Sequence, residues 1–448
     1  MGRMGRVGGV GKKLLVMPSG FPALSFELYR NQVGEIKHSF PFADYYQPTA
    51  TKIIVSLSGN DTTGLGSDAL PYRTLAKAMT TMQAGADSSY DIVIKDVPQF
   101  LRDEAGFTGT ISGKTVAIRS LLGDGYTAQT LITTNAAYSW VADGVGTYKA
   151  TRSGVTAVSD SGARDANGVP IALVKTSSSA LCQSTSGSWF SDGSSVWVHR
   201  SDGSTPSVTS TIVTIGVSQF DPILAAGSKL YLENLVFCGW ANGHGLRVRG
   251  DAAGTNEEVV VNRCIFAGTT GNGYMTDAVA KTYLFNCVSA YQQLDAFNYT
   301  YSTMTWAAVR ANTLVFEYGC TGYHCGVEVP GAKSNNTSTA HGGCNILRVG
   351  HTGYENTGAT IIDVNGCYSV LYDCLAKTPI NDGVYGDGTA MAFSADSVGQ
   401  PGYAYIYHCE VQDCTVALNI STNTTAFADK FRRPIGSALL VGGTFTET

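Results

Sequence analysis

Short apolar strands and polar turn residues alternate through the second half of the sequence and repeat at intervals of roughly 23 to 35 residues. From about residue 230 the repeated phrases are YLENLVFCG, VVVNRCIFAG, TYLFNCVSAY, LVFEYGCTGY, ILRVGHTGY, SVLYDCLAKT and YIYHCEVQD. Each phrase is an apolar run followed by a polar residue and often a cysteine. One coil of a solenoid has this length, so the pattern predicts stacked coils whose equivalent residues form columns.

The cysteines occupy one slot of this repeat. The members of the predicted column are Cys264, Cys287, Cys320, Cys374 and Cys409, with Leu235 and His351 in the other two coils. Parallel strands lie about 4.8 Å apart, and a small apolar thiol packs well in such a column. We therefore predict reduced, buried thiols. A zinc site is the alternative, and its possible ligands are Cys320, His324, Cys325, His341 and Cys344.

A second phrase follows each first one: GHGLRVRG, GNGYMTDA, LDAFNYTYS, HCGVEVPG, GATIIDVNG, NDGVYGDG and CTVALNIS. A small turn residue precedes an inward-outward alternation, which is typical of a strand with one buried face. These strands predict a second sheet with an outward column. Its expected members are Arg247, Met275 or Asp277, Asn298, Glu328, Asp363, Tyr385 or Asp387, and Asn419.

Glu328 and Asp363 fall on neighbouring coils of this predicted column. Carboxylates one coil apart lie about 5 Å from each other, a separation at which one can stay protonated as a general acid while the other is charged. We predict this pair as catalytic, with Asp295 as a secondary candidate that could instead cap a turn. The alternatives for the pair are a solvated polar ladder or a cation site that includes Asp387.

The outward side chains beside this pair are the expected substrate-binding residues: Arg247, Asn298, Tyr385, Asp387 and Asn419. Lysines and arginines that could serve as the base of a lyase are also present, but no lyase motif can be matched to them. Hydrolysis is therefore favoured over elimination.

Upstream, the segment KIIVSLSGNDTTGLGSDALPYRTLAKAM contains a Gly59-x-Asp61 loop and a helix start at Pro71 to Thr74. It resembles the entry of pectate-lyase-like β-helix proteins, over about residues 51–130 and again over 215–430. The resemblance implies an all-β fold, a right-handed single-stranded parallel β-helix, whose open end is capped by an amphipathic helix. It carries no catalytic signature with it.

The coil rhythm disappears between these two blocks, where short strands alternate with Asp-Gly and Ser-Gly turns. We predict an inserted β-sandwich-like module over residues 133–214. Its aromatic residues, Trp189 and Trp197 among them, either stack on sugar rings or fill the core of the module.

Residues 1–50 form a glycine-rich, aromatic arm that is too short for a domain. Pro18 and Gly20 interrupt its apolar run, and no stretch of the chain has 18 consecutive apolar residues, so membrane insertion is not expected. An anchor followed by a β-helix resembles a bacteriophage tail spike or tail fibre. The predicted division is an arm at 1–50, the β-helix entry at 51–132, the module at 133–214, the main β-helix at 215–430 and a C-terminal strand or cap at 431–448.

This resemblance implies a homotrimer on the virion tail or baseplate, folded in the host cytoplasm and attached to other tail proteins through residues 1–50. A formal net charge of -5 disfavours nucleic acid as a partner. No nucleotide or phosphate motif predicts a cofactor. The expected function is binding of bacterial surface polysaccharide, with or without its hydrolysis. A non-enzymatic virion appendage and a secreted polysaccharide lyase or hydrolase are the alternatives.

Overall fold

The structure is a computed structural model. It describes residues 12–47, 49–95, 100–101, 106–120, 130–132, 137–215, 220–239, 243–251, 256–327, 335–380, 388–397 and 399–448 of the 448-residue chain. The chain divides into two units, Met1–Asp44 and Tyr45–Thr448. The first unit contains a small antiparallel sheet of strands Lys13–Leu14, Leu28–Arg30 and Ile36–His38. A short 3-10 helix, Phe42–Tyr45, spans the boundary of the two units.

Three long parallel sheets form the body of the second unit, and each coil of the chain contributes a strand to successive sheets. The first wall has twelve strands: Thr51–Val55, Ser89–Ile94, Thr115–Ser120, Lys229–Glu233, Glu258–Asn262, Lys281–Phe285, Leu314–Tyr318, Asn345–Val349, Tyr368–Tyr372, Gly402–Tyr407, Thr424–Asp429 and Thr444–Glu447.

The second wall has nine strands: Phe100–Leu101, Thr130–Ile132, Leu235–Cys238, Ile265–Ala267, Val288–Ala290, Thr321–Tyr323, Thr352–Tyr354, Leu375–Lys377 and Glu410–Gln412. The third wall has ten strands: Thr110–Ile111, Ile223–Leu224, Leu246–Gly250, Tyr274–Asp277, Phe297–Thr300, Ser338–Ala340, Ile361–Asp363, Thr389–Phe393, Val416–Ile420 and Ala438–Val441. This topology confirms the predicted parallel β-helix, and the coils continue to Thr444–Glu447.

The corner between the first and second walls explains the repeated phrase. The residue before each column position has a left-handed backbone, for example Asn234 (φ 57°), Asn286 (φ 51°) and Asp373 (φ 54°). Asparagine, aspartate and glycine adopt this conformation at little cost, so the polar residue of each phrase makes the turn.

The predicted column of Leu235, the cysteines and His351 lies directly after this corner, as the register of the flanking strands requires. Its members are at most 1% exposed. The backbone N–H of Cys374 lies 3.4 Å from Cys409 Sγ on the next coil. Burial raises the pKa of Cys264 to about 12. The column is therefore confirmed as interior packing of free thiols.

A helix, Leu75–Ala84, covers the first coil of the solenoid. Thr74 caps it by accepting a hydrogen bond from Lys77 N, and Asp61 accepts bonds from the backbone of Arg73 and Thr74 at 2.7 and 3.1 Å. The buried face of the helix packs in the same apolar cluster as the interior side of the first wall. The Gly-x-Asp loop thus positions the cap. None of the helices within the described ranges is long and apolar enough to cross a membrane.

Residues 137–215 form two further sheets between the coils. The larger has strands Val141–Ala142, Thr147–Thr151, Ser195–His199, Ser188–Ser191 and Val174–Lys175, and the smaller has Pro170–Ala172, Val155–Arg164 and Thr211–Ile215. A short helix, Ser179–Ser184, connects strands Val174–Lys175 and Ser188–Ser191 of the larger sheet. We call this segment the module. Val169 and Ile212 of the module pack against Val236, Ile265 and Val288 of the second wall, so the module is seated on the solenoid.

Candidate functional site

The outward column of the third wall agrees in part with the predicted column. Strand pairing aligns Arg247, Met275, Asn298, Thr339, Ile362, Ala392 and Asn419. Arg247, Met275, Asn298 and Asn419 therefore share one face, as expected. Asp363, another predicted member of the column, does not join them.

Asp363 lies on the other face of the sheet, so its predicted place beside the substrate is wrong. Ile362 occupies the outward position, and a shift of one residue along a strand moves a side chain to the opposite face. In the preceding coil, Thr339 stands at the position assigned to Glu328. Glu328, Tyr385 and Asp387 lie outside the described residues.

Inside the solenoid Asp363 belongs to a buried set of charges that we call the inner network. Arg348 binds Asp363 through two nitrogens, at 2.7 and 2.8 Å, and both side chains are at most 1% exposed. Ser369 donates to Asp363 at 2.6 Å. Arg348 is paired in register with Glu317, whose Oε2 lies 2.6 Å from His351 Nδ1. Asp363 is thus fully engaged in holding the core.

Asp295, the secondary candidate, lies outside the solenoid just before strand Phe297–Thr300. Its carboxylate accepts hydrogen bonds from Asn298 Nδ2 at 2.7 Å, from Asn336 N at 2.8 Å and from Asn336 Nδ2 at 3.0 Å. Its own N–H donates to Asn272 Oδ1 at 2.9 Å. Burial raises the pKa of Asp295, and these hydrogen bonds oppose the rise without cancelling it. We call Asp295, Asn272, Asn298, Asn336 and His341 the outer cluster.

His341 lies close to this carboxyl, and His244 contacts Asn272; both imidazoles are neutral near pH 7 because their pKa values are lowered. Burial lowers the pKa of His341, against the opposing charges of Asp295 and Asp363. Burial, reinforced by the charge of Arg247, lowers the pKa of His244 to about 4. His244 Nδ1 accepts a hydrogen bond from Asn272 N at 3.1 Å, which leaves its other ring nitrogen as the donor. The cluster thus combines a carboxyl of raised pKa with uncharged imidazoles.

Two arginines stand two strands away from Asn298 on the same wall. Arg247 and Arg249 both bind the fully buried Asp221, at 2.5 and 2.9 Å, while their own side chains are 26% and 33% exposed. Asp277 is paired in register with Arg249 on the next strand, so the two guanidinium groups lie close to two carboxylates. The arginine pair therefore offers partly exposed guanidinium donors on the same wall as the outer cluster.

Three buried polar atoms of this surface have no hydrogen-bond partner among the described residues: Arg247 Nε, Asn298 Oδ1 and Asn336 Oδ1. An unsatisfied buried donor or acceptor is costly, and such groups concentrate where a ligand or water completes the bonding. The outer cluster and the arginine pair are therefore the candidate site. Asn272, Asn336 and Asp221 were not predicted from the sequence, and His341 was predicted only as a possible zinc ligand.

The tryptophans of the module are largely buried. Trp189 is 2% exposed and packs with Val158, Leu173 and Val196 in the module core. Trp197 is 6% exposed, and its indole N–H donates to Asp143. The expectation that Trp197 binds sugar by stacking does not fit this burial. Filling of a small β core, the alternative interpretation, describes Trp189. Trp197 lies on the opposite face of its strand from the core residues Val196 and Val198 and packs against Phe190 and Lys149.

The zinc alternative has no geometric basis in the described part of the chain, where no group of three or more His, Cys, Asp and Glu side chains is arranged to hold a metal. Cys320, Cys325 and Cys344 are fully buried in the apolar core. His324 instead lies 3.0 Å from Glu355.

No protein-family model matches the sequence, and no curated protein matches it significantly. Similar solved structures include pectate lyase Pel9A, with 9% identity over 89% of this chain and 81% of that chain, at a TM-score of 0.44. The Family 28 exopolygalacturonase of Yersinia enterocolitica has 10% identity over 94% of this chain and 83% of that chain, at a TM-score of 0.39. The Gp54 tailspike of Acinetobacter baumannii bacteriophage AP22 was solved with A. baumannii capsular saccharide. It has 9% identity over 85% of this chain and 67% of that chain, at a TM-score of 0.23. The pairing of the three walls, rather than these likenesses, identifies the fold as a pectate-lyase-like parallel β-helix.

Proposed function

We propose that the third wall binds a bacterial surface polysaccharide and that Asp295 donates a proton to a glycosidic oxygen of the bound chain. The observation that carries this proposal is the raised pKa of a carboxyl held by two asparagines whose amide oxygens have no partner among the described residues. Burial raises the pKa of Asp295, which is the direction that a general acid requires.

The outward column supports binding of an extended ligand. Arg247 and Asn298 are two strands apart, which corresponds to about 10 Å along the wall. A chain lying along the column reaches the outer cluster and the arginine pair at the same time. The partly exposed guanidinium groups of Arg247 and Arg249 can donate hydrogen bonds to hydroxyl or carboxylate oxygens of the chain.

Hydrolysis needs a second carboxylate, as nucleophile or as the base that activates water. Glu328, predicted from the sequence as the partner of Asp363, is the candidate for this role and lies outside the described residues. The Glu328→Gln variant tests it: a hydrolytic activity that survives this change removes Glu328 from the mechanism and leaves Asp295 in place.

The experiment for Asp295 uses purified capsule or lipopolysaccharide as substrate. New reducing ends measure hydrolysis, and absorbance near 232 nm measures the unsaturated uronates of a lyase. We expect reducing ends without the absorbance signal, and a loss of about 100-fold or more in Asp295→Asn. Asp429→Asn, on the first wall, is the control and keeps full activity. Full activity in Asp295→Asn contradicts the proposed acid.

The binding part of the proposal is tested separately by sedimentation with labelled polysaccharide. Arg247→Ala combined with Arg249→Ala should weaken binding, whereas Asp295→Asn should retain it. Binding without any cleavage by the parent protein contradicts the enzymatic part and favours a non-enzymatic adhesin. The absence of both binding and cleavage contradicts the whole proposal.

We further propose that the chain is a bacteriophage tail spike or tail fibre, attached to other tail or baseplate proteins through residues 1–50 and assembled as a homotrimer. The support is the order of the sequence, in which a glycine-rich arm precedes a β-helix. Mass determination by light scattering should give three times the 47.2 kDa of one chain. The purified protein should also compete with phage for adsorption to the host. A monomeric mass at micromolar concentration contradicts the trimer.

A further inference from the structure

A cleft of about 350 Å³ lies between the module and the coil corners that follow the second wall. We call it the module cleft. Its lining residues Thr270 and Gln293 are two residues from Asn272 and Asp295, so the cleft lies next to the outer cluster. Its module side is formed by strands Val155–Arg164 and Pro170–Ala172 and by Lys175 and Trp189, and its solenoid side by the coil corners at Gly268–Thr270, Tyr291 and Gln293. The volume lies at the lower end of the range of about 300–1,000 Å³ that is usual for small-molecule sites.

The two sides of the cleft are held in place by bonds between the module and three successive coils. Asp165 accepts hydrogen bonds from Tyr291 at 3.0 Å and from Tyr323, and Asn167 donates to Tyr354 at 3.0 Å. The rings of Tyr323 and Tyr354 stack with centroids 4.8 Å apart. Because Tyr291 also lines the cleft, these bonds fix the shape of the cleft before any ligand arrives. Preorganisation of this kind lowers the entropic cost of binding.

The lining combines an apolar floor with a polar rim. Val155, Ala157 and Ala172 are partly exposed and supply the apolar surface of the floor, next to the buried Val158, Leu173 and Trp189. Thr156 is exposed and supplies a hydroxyl at the rim. This combination suits a sugar that buries an acyl or methyl group and presents hydroxyls to the rim.

Lys175 adds a charge to the rim. Its ammonium group lies 5.1 Å from the ring centroid of Trp189, and no carboxylate pairs with it in the described part of the chain. The side-chain amide of Gln293 likewise makes no hydrogen bond within the described ranges. An unpaired cation beside an amide is arranged to receive a carboxylate.

We propose that the module cleft binds a monosaccharide unit that carries both an acyl group and a carboxylate, and that it serves as a second attachment point on the polysaccharide. This inference rests on the proposed function for the source of the ligand. A cleft contact and a third-wall contact on one polymer raise the avidity of the protein without any change in the cleavage site.

Ligand-observed saturation-transfer NMR with three probes tests the proposal: N-acetylneuraminic acid, N-acetylglucosamine and glucuronic acid. The first probe has both groups, and the others have one each. We expect the first to bind with a millimolar Kd and the other two at least fivefold more weakly. Equal binding of all three, or binding of none, overturns the proposal.

Two variants of the cleft and one matched control locate the binding. Lys175→Gln should weaken N-acetylneuraminic acid at least fivefold, and Ala157→Leu, which fills the cleft, should abolish the signal. Lys149→Gln is the control, because Lys149 makes the same cation–ring contact with Trp197 at 4.3 Å but does not line the cleft. Loss of binding in the control, or full binding in Lys175→Gln, contradicts the cleft as the site.

Failure of this inference and failure of the proposed function give different results. Asp295→Asn should reduce hydrolysis about 100-fold or more and leave the NMR signal unchanged. Lys175→Gln should weaken the binding seen by NMR at least fivefold and leave hydrolysis of a short oligosaccharide unchanged. A loss of both activities in either single variant contradicts two separate sites.

Discussion

Arg348 and Asp363 have side chains that point into the solenoid although polar residues of a half-buried strand usually point outward. They do so because each supplies the other with a partner: the third wall brings the carboxylate opposite the guanidinium of the first wall. Ser338 and Glu317 complete the arrangement, with Ser338 donating to Glu317 at 2.6 Å and accepting from Arg348 at 2.8 Å. A charge is tolerated there only as part of this set.

The stability of the protein should therefore depend strongly on Asp363. Asp363→Asn removes the carboxylate that binds the buried Arg348 through two nitrogens and leaves Glu317, 3.9 Å from Arg348 Nε, as the remaining counter-charge. We expect the free energy of unfolding to fall by about 3–5 kcal/mol. Urea unfolding followed by circular dichroism measures the change. The control is Asp429→Asn, which removes a half-exposed carboxylate and should change stability by about 0.5 kcal/mol or less. Equal unfolding midpoints for the two variants contradict the importance of the inner network.

The buried carboxyl of Glu317 should make the free energy of unfolding sensitive to acid. Burial alone raises the pKa of this carboxyl, but His351, Arg348 and Ser338 outweigh it and lower the pKa to about 2. A carboxyl whose pKa is lower in the folded state than in the unfolded state stabilises the fold above the unfolded pKa of about 4.3. That contribution, on the order of 3 kcal/mol, disappears as the pH falls from about 5 to 2.

Thermal unfolding between pH 7 and pH 2 measures this effect. The parent protein should lose stability across the lower part of the range, and Glu317→Gln should start from a lower unfolding temperature and show a smaller loss. Curves of identical slope for the two proteins contradict the assignment of the acid-sensitive component to Glu317.

At the scale of strands and corners, the first wall could be read from the sequence and the third wall only in part. The corner residue before each cysteine is Asn, Asp, Arg, Gly or His with positive φ, which gives every coil a local marker that fixes its register. The third-wall strands have no such marker. In the strand Ile361–Asp363, either of the two isoleucines could face the core, so the polar Asp363 was predicted to point outward. In the structure Asp363 points inward because it pairs with the buried Arg348.

The candidate site shows the same limit. Arg247, Asn298 and Asn419 were placed on one face because each follows a turn phrase of regular length. The bonds of Asp295 to Asn336 cross 41 residues of sequence, and those of Arg247 to Asp221 cross 26 residues. The spacing of residues within one repeated phrase does not predict contacts between residues of different coils. These contacts are seen only once the coils are stacked in the structure.

The cysteine column predicts a specific pattern of chemical reactivity. Ten of the 11 cysteines are buried, and Cys414 alone is partly exposed. Burial raises the pKa of Cys238, Cys264 and Cys344 to about 12, so these thiols form little of the reactive thiolate at pH 8. Iodoacetamide should therefore modify native protein at Cys414 only, and denatured protein at all cysteines.

Intact-mass spectrometry counts the added groups, and peptide mapping locates them. The Cys414→Ala variant is the control and should remain unmodified until denaturant is added. Modification of Cys264 or Cys287 in the native protein contradicts an interior column.

For the whole molecule, the solenoid is continuous on either side of the module. Thr130 pairs with Leu235, and Thr110 pairs with Ile223, so the coils before and after residues 137–215 are joined by direct strand pairing. Stability in a solenoid is approximately a sum of coil and neighbour terms. The module therefore adds a surface and a cleft to the solenoid, whose strands pair with one another without any strand of the module between them.

A chain in which residues 137–215 are replaced by a short glycine–serine linker should fold into the same β-helix. We expect an unchanged β-type circular dichroism spectrum, retained hydrolysis that depends on Asp295, and no binding of N-acetylneuraminic acid. The unfolding temperature should be lower by a few degrees, because Ile265 and Val288 lose the apolar cover of Val169 and Ile212. Ile265→Thr and Val288→Thr in the shortened chain are designed to make that exposed strand surface soluble while keeping β-branched side chains. If this second version also fails to give a cooperative unfolding transition, the module is required for the solenoid, and the two cannot be independent parts of the molecule.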